Sequence, residues 1–225
     1  SKSKYNTQTP DDLIVEFGAD TLRMYEMFLG PLEQYKPWDI KGISGVHNFL
    51  KKLWRLTHNE NNEFAISNAE ASKEELKSLH RCIKKVTIDL DRFSFNTVVS
   101  HFMICLNELI ALKCNKREIL REFIILLAPY TPFICEEIWE SFGYKKSITY
   151  ADWPIFDEQY IKESLVTYPI SFNGKMRFKL DFDTNASKID IEKAVYKHPK
   201  TKNYIGTQKI KKIIIIPNKI VNIVF

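Results

Sequence analysis

Apolar residues recur over the first two thirds of the chain at the three-and-four spacing of a helix, and over the last third at the spacing of a strand. Leu22, Met24, Tyr25, Met27, Phe28 and Leu29 would cover most of a helix that Asp20 can cap and Gly30-Pro31 stops. Ile43, Val46, Leu50 and Leu53, widened by Phe49 and Trp54, predict a helix over 40–57. Residues 58–71 are polar and predict a surface loop. Ser72 with Glu75 is a capping-box pair ahead of Leu76, Leu79, Ile83, Val86 and Leu90. Phe95, Val98, Phe102, Leu106 and Leu109 place a helix over 94–112, and the apolar run at 123–128 makes the helix at 116–127 a central one. Thr131-Pro132 opens a further helix, with Thr131 as cap, Ile134, Ile138 and Trp139 inward, and Gly143 at its end.

The pattern then changes. Val166, Tyr168, Ile170 and Phe172 alternate with polar residues up to Asn173-Gly174, and Met176, Phe178, Leu180 and Phe182 alternate after it. This is a β-hairpin on a type I′ turn. Pro169 puts its first strand at a sheet edge, and Lys175, Arg177 and Lys179 share the face opposite the apolar side chains. Ser187 caps a helix to about 197, and 209–216 with 219–225 form a second hairpin around Pro217-Asn218. The expected fold is mainly α: an antiparallel helix bundle, then a small α+β domain with two β-hairpins and a helix. The expected domains are an N-terminal segment 1–38, the bundle 39–150, a linker 151–164 holding Trp153-Pro154, and the α+β domain 165–225.

Composition narrows the functional classes. The 225 residues are 44% hydrophobic and 27% charged, enough for a buried core and too apolar for disorder. No unbroken apolar run approaches the ~20 residues that span a bilayer, so no membrane role is expected. Cys82, Cys105, Cys114 and Cys135 have no CxxC spacing and are expected to be reduced core thiols of a cytoplasmic protein. The five histidines have no metal-binding spacing, and no metal site is expected. The net charge of +5 is uneven: residues 165–225 hold eleven lysines and Arg177 against four acids. Such an excess suits a polyanion. The candidate RNA-binding residues are Lys175, Arg177, Lys179, Lys200, Lys202, Lys209, Lys211 and Lys212, with Lys51 and Arg55 outside the apolar stripe of the second helix.

Three separated stretches resemble one family. GADTLRMYEMFLGPLEQYKPW at 18–38 is similar to the segment after the KMSKS loop of class I aminoacyl-tRNA synthetases, and its FLGPLEQ…KPW ending to the leucyl enzymes. LAPYTPFICEEIWESFG at 127–143 resembles the LAPFxPHxxEELW helix of the anticodon-binding bundle, with Phe133 where His is usual. The SFNGKMR hairpin and the IPNKIVNIV end resemble the small C-terminal domain of bacterial leucyl-tRNA synthetases.

The resemblance implies that Ser1-Lys2-Ser3-Lys4 is the end of a KMSKS motif, with Tyr5 where many members have Gly, and that the chain is a C-terminal fragment. Lys2 would then be the catalytic lysine that stabilises charge on the ATP phosphates, with Ser1 and Ser3 beside it. It further implies leucine, ATP with Mg²⁺ and tRNA(Leu) as substrates of the intact, monomeric enzyme, and no cofactor in the fragment. The alternatives are an isoleucyl or valyl relative, against which 28–34 and the C-terminal hairpin argue, and a freestanding basic RNA-binding module, which should begin with Met.

Overall fold

A computed structural model describes residues 9–36, 38–39, 42–162, 165–184, 186–206, 208–217 and 219–225. The chain divides into two compact units, Ser1–Ile161 and Lys162–Phe225.

The first unit is helical: α1 (Pro10–Phe17), α2 (Ala19–Phe28), α3 (Ile43–Thr57), α4 (Lys73–Asp91), α5 (Phe95–Ala111), α6 (Arg117–Leu127) and α7 (Pro132–Ser141). The apolar stripes meet in one core that runs from Leu13 and Met24 through Val46, Leu53, Ile83 and Phe102 to Phe123 and Ile138. Phe102 is fully buried and meets Phe123 and Tyr130 edge to face, with ring centroids 6.1 and 5.4 Å away. The capping box of α4 is complete: Glu75 N–H donates to Ser72 Oγ at 3.2 Å, and Ser72 N–H to Glu75 Oε2 at 2.7 Å. Burial works against the Glu75 charge, but the Ser72 N–H, the Cys114 and Ser72 side chains and Lys116 together outweigh it and its pKa is lowered.

Two expected caps are corrected. Gly18, at φ 87°, both ends α1 and starts α2, so Asp20 lies inside the helix it was expected to cap. Its carboxylate instead accepts the N–H of Phe133 at 3.2 Å and of Ile134 at 2.7 Å, at the start of α7. Thr131 makes no capping bond, and its hydroxyl pairs with Cys135 Sγ at 3.4 Å. One carboxylate on α2 thus satisfies the orphan donors of a helix more than a hundred residues away. The polar loop after α3 is also less free than expected. His58 is buried and stacks on Trp54 at 3.7 Å, and Ser67 pairs by a β-bridge with Lys116.

The segment after α7 is strapped to α4. Trp153 Nε1–H donates to Thr87 Oγ1 at 3.0 Å, Lys84 Nζ lies 5.1 Å from the Phe156 ring centre, and Asp157 N–H donates to His80 Nδ1 at 3.1 Å. Burial pushes the His80 pKa down, which keeps the ring neutral and able to accept that bond. All four cysteines are buried free thiols, and burial pushes Cys114 and Cys135 up to about 12.

The second unit is a four-stranded sheet in the order β2-β1-β4-β3, built from β1 (Leu165–Phe172), β2 (Lys175–Asp183), β3 (Lys212–Ile216) and β4 (Ile220–Val224). The helices α8 (Lys188–Lys197) and α9 (Pro199–Ile205) lie between β2 and β3 in sequence. Ser187 caps α8 as expected, accepting the Asp190 N–H at 3.2 Å, while α9 was not foreseen. Tyr168, Ile170, Phe172, Phe178, Val221 and Ile223 join Ile191 and Val195 of α8 in a separate core. The two hairpins are one sheet, because β1 pairs with β4 in parallel. Pro169 is therefore in an interior strand, contrary to the edge position expected of it. Pairing with β4 begins only at Ile170, so the missing N–H of Pro169 leaves no gap in that ladder. Among the described residues no helix is long and apolar enough to cross a membrane.

Candidate nucleic-acid interface

The basic hairpin turns on Asn173 and Gly174, both at positive φ (47° and 83°), as a type I′ turn requires. It is pinned from β4: Gly174 N–H donates to Asn222 Oδ1 at 3.0 Å, and Phe225 N–H to Asn173 Oδ1 at 3.2 Å. A two-residue turn pairs even positions of β1 with odd positions of β2, yet the apolar residues are even on both strands. The conflict is resolved by a bulge. Phe172 faces Lys175 and Ser171 faces Met176, but Ile170 then faces Phe178, leaving Arg177 as the extra residue.

The bulge overturns the shared face expected of Lys175, Arg177 and Lys179. Paired residues share a face of the sheet, so Lys175 goes with Phe172 on the helix-covered side and Lys179 with Pro169 on the open side. Arg177 is re-aimed, and its guanidinium carbon lies 5.4 Å from the ring centre of Tyr204 on α9. Lys200, also on α9, places Nζ 5.8 Å from the Phe178 ring centre, and Lys202 is exposed on the same helix. Lys212 pairs with Val224 and lies on the open face with Lys179, while Lys209 and Lys211 are exposed just before β3. The candidates therefore form two groups, one near the α9 side and one on the open face. Tyr204 and His198 were missed. The available signal was the interleaving of aromatics and lysines in YKHPKTKNY at 196–204.

In the first unit Lys51 and Arg55 are exposed on α3. Lys51 lines a groove of about 440 Å³ with Phe17, Ala19, His47, Trp54 and Phe133. Asp20 is at its base, and burial raises its pKa despite the two N–H groups it accepts. Neighbouring Thr21 Oγ1 lies 3.3 Å from His47 Nδ1. Ser1, Lys2 and Ser3 lie outside the described residues. Among the described residues no group of three His, Cys, Asp or Glu side chains could hold a metal ion. Glu136, adjacent to Glu137, is engaged structurally, accepting from Ser147 Oγ at 2.9 Å and from the Ile148 N–H at 3.2 Å.

A family described as the anticodon-binding domain of tRNA ligase matches residues 72–194, more than half of the chain. The chain belongs to that family. Curated relatives narrow the likeness to leucine–tRNA ligases. That of Christiangramia forsetii is 55% identical over all of this chain and 23% of its own length, and that of Bacteroides thetaiotaomicron 52% over all of this chain and 24% of its own. The chain thus spans about a quarter of the length of these ligases. Among solved structures, the agnB2 LeuRS of Agrobacterium radiobacter K84, in a ternary complex with tRNA and LeuAMS, matches the whole chain at 27% identity with a TM-score of 0.72. The match covers 31% of that protein. The helical bundle followed by a small mixed α+β unit agrees with this membership.

Proposed function

We propose that this chain is the tRNA-binding part of a leucine–tRNA ligase, an enzyme that joins leucine to tRNA(Leu) at the expense of ATP. The observation that carries this reading is the match along the entire chain, at 49–55% identity, to ligases of that one specificity. The LeuRS neighbour with tRNA bound supports RNA as the partner of these two units. On this reading ATP and Mg²⁺ are used by the intact enzyme. Lys2, flanked by Ser1 and Ser3, is the lysine whose positive charge meets the phosphates as leucine attacks. The whole protein works as a cytoplasmic monomer.

The 225-residue chain alone is then expected to bind tRNA(Leu) and to give no leucine-dependent ATP–pyrophosphate exchange. In the full-length protein, Lys2→Ala should slow adenylate formation by roughly 10²–10³-fold, the usual loss when one donor to developing charge is removed. Leucine affinity should stay close to the parent's. Exchange by the chain alone, or a Lys2→Ala enzyme at the parental rate, would overturn this assignment. RNA contact is tested by salt. Each phosphate neutralised should add ~0.7–0.9 to the log–log slope of binding against salt, and replacing Lys200 and Lys202 by Gln should lower that slope.

A further inference from the structure

The second unit carries thirteen lysine and arginine side chains, and only one is an arginine. A lysine is a point charge on a flexible stem and is sufficient for a phosphate, whereas a guanidinium is flat and can stack. That single arginine occupies the bulge, the one position on β2 where the chain departs from alternation to re-aim a side chain. It lies over Tyr204, a residue 46% exposed. Beneath Tyr204 are Phe172, with ring centroids 5.2 Å apart, and Phe178, nearly parallel at 16° and 6.4 Å away. Both are buried in the core of the unit, so the tyrosine rests on fixed rings. The turn beside it is pinned through Asn173 and Asn222. Arg177 is exposed and has no carboxylate partner among the described residues. Asp181, the nearest acid along the strand, is four residues on, roughly 13 Å at strand rise.

Resting on the RNA-binding reading above, we infer that Arg177 and Tyr204 form a stacking platform for an unpaired nucleobase of the bound RNA. The base would continue the series of planes set up by Phe178, Tyr204 and the guanidinium, while Lys175 and Lys200 meet flanking phosphates. Stacking of this kind is indifferent to base identity, because every base has a π face. The site therefore distinguishes unpaired from paired RNA and does not read sequence.

The test uses the 225-residue chain, two RNA probes and fluorescence anisotropy over a range of salt. One probe is a tRNA(Leu) transcript; the other is a blunt RNA duplex with every base paired. Arg177→Lys keeps the charge and loses the plane, and Tyr204→Leu keeps the bulk and loses the π face. Each should weaken tRNA binding by about 5- to 150-fold, the span of one base–aromatic stack, with an unchanged salt slope and unchanged duplex binding. Tyr204→Phe should bind as the parent does. Arg177→Lys with parental tRNA affinity would overturn the platform, as would equal losses on tRNA and duplex. Arg177 is exposed, so that variant carries the test even if Tyr204→Leu fails to fold. If Lys200→Gln with Lys202→Gln lowers the slope while Arg177→Lys and Tyr204→Leu change nothing, RNA binding stands and stacking falls. If the parent chain binds neither probe, the RNA-binding reading itself fails, and the platform with it.

Discussion

Replacing Asp20 by Ala removes a cap that no local residue can replace, because Thr131 is occupied with Cys135. Losing an N-cap side chain costs about 0.5–2 kcal/mol, and leaving buried donors without an acceptor costs about 1–3 kcal/mol. The N–H groups of Phe133 and Ile134 would also lose their acceptor. These contributions overlap, and the net loss should be about 2–4 kcal/mol. For a unit of 161 residues, that lowers the melting temperature by about 5–15 °C. Burial raises the Asp20 pKa above 3.8, so the folded state holds this proton more tightly than the unfolded state. Its contribution to stability therefore falls as pH rises through the raised value and is most favourable below it. Asp20→Asn keeps one carbonyl acceptor without the buried charge and should lose much less than Asp20→Ala. All four tryptophans, at 38, 54, 139 and 153, belong to the first unit, so their fluorescence follows its unfolding alone. An Asp20→Ala melt within a degree of the parent would refute the capping account, and equal damage from Asn and Ala would refute the role given to burial of the charge.

Three further outcomes follow from the packing. Phe102→Ala should destabilise the first unit by about 3–5 kcal/mol, because a fully buried ring leaves a cavity between Phe123 and Tyr130; chemical denaturation with an unchanged slope is the check. His80 has its pKa pushed below 6.5 by burial, with Asp157 and Glu118 acting weakly the other way. The unfolded ring therefore takes up its proton first, and the strap's stability, full above about pH 6.5, is lost as pH falls toward the folded value. Acrylamide quenching of Trp fluorescence should rise over that window in the parent, and much less in His80→Phe, which keeps the ring and loses the titrating nitrogen. Thr201 has a buried hydroxyl with no hydrogen-bond partner among the described residues. Thr201→Val should be neutral or stabilise the second unit by about 1 kcal/mol, and a loss of similar size in thermal denaturation would reveal a missed partner.

Periodicity located the helices because each one buries a stripe, and the capping box at Ser72 and the turn at Asn173-Gly174 are local signals with local causes. The errors came from partners distant in sequence. Asp20 beside a helix start looks like its cap, and nothing near it reveals that a helix beginning at Pro132 needs the carboxylate. Pro169 looks like an edge residue because the strand that covers its neighbours arrives some fifty residues later. The bulge was different, since it could have been inferred: even-numbered apolar residues on both sides of a two-residue turn cannot share a face without one. Missing it merged Lys175, Arg177 and Lys179 into one surface and left Tyr204 unnoticed. The proposed catalytic lysine rests on motif likeness alone, as Lys2 lies outside the described residues.

The parallel pairing of β1 with β4 also sets the order in which the second unit can assemble. β1 and β2 are joined by two residues and can close at once, whereas Ile170 meets Val221 only after about 50 intervening residues have been gathered in. Nonlocal parallel contacts of this kind form late. Until then the hairpin presents an unpaired strand edge carrying Ile170 and Phe172, an invitation to pair with another chain. Pro169 stands immediately before that edge and offers no N–H to a foreign strand. A residue that looks misplaced in the finished sheet is well placed in the half-folded one, as a guard against aggregation.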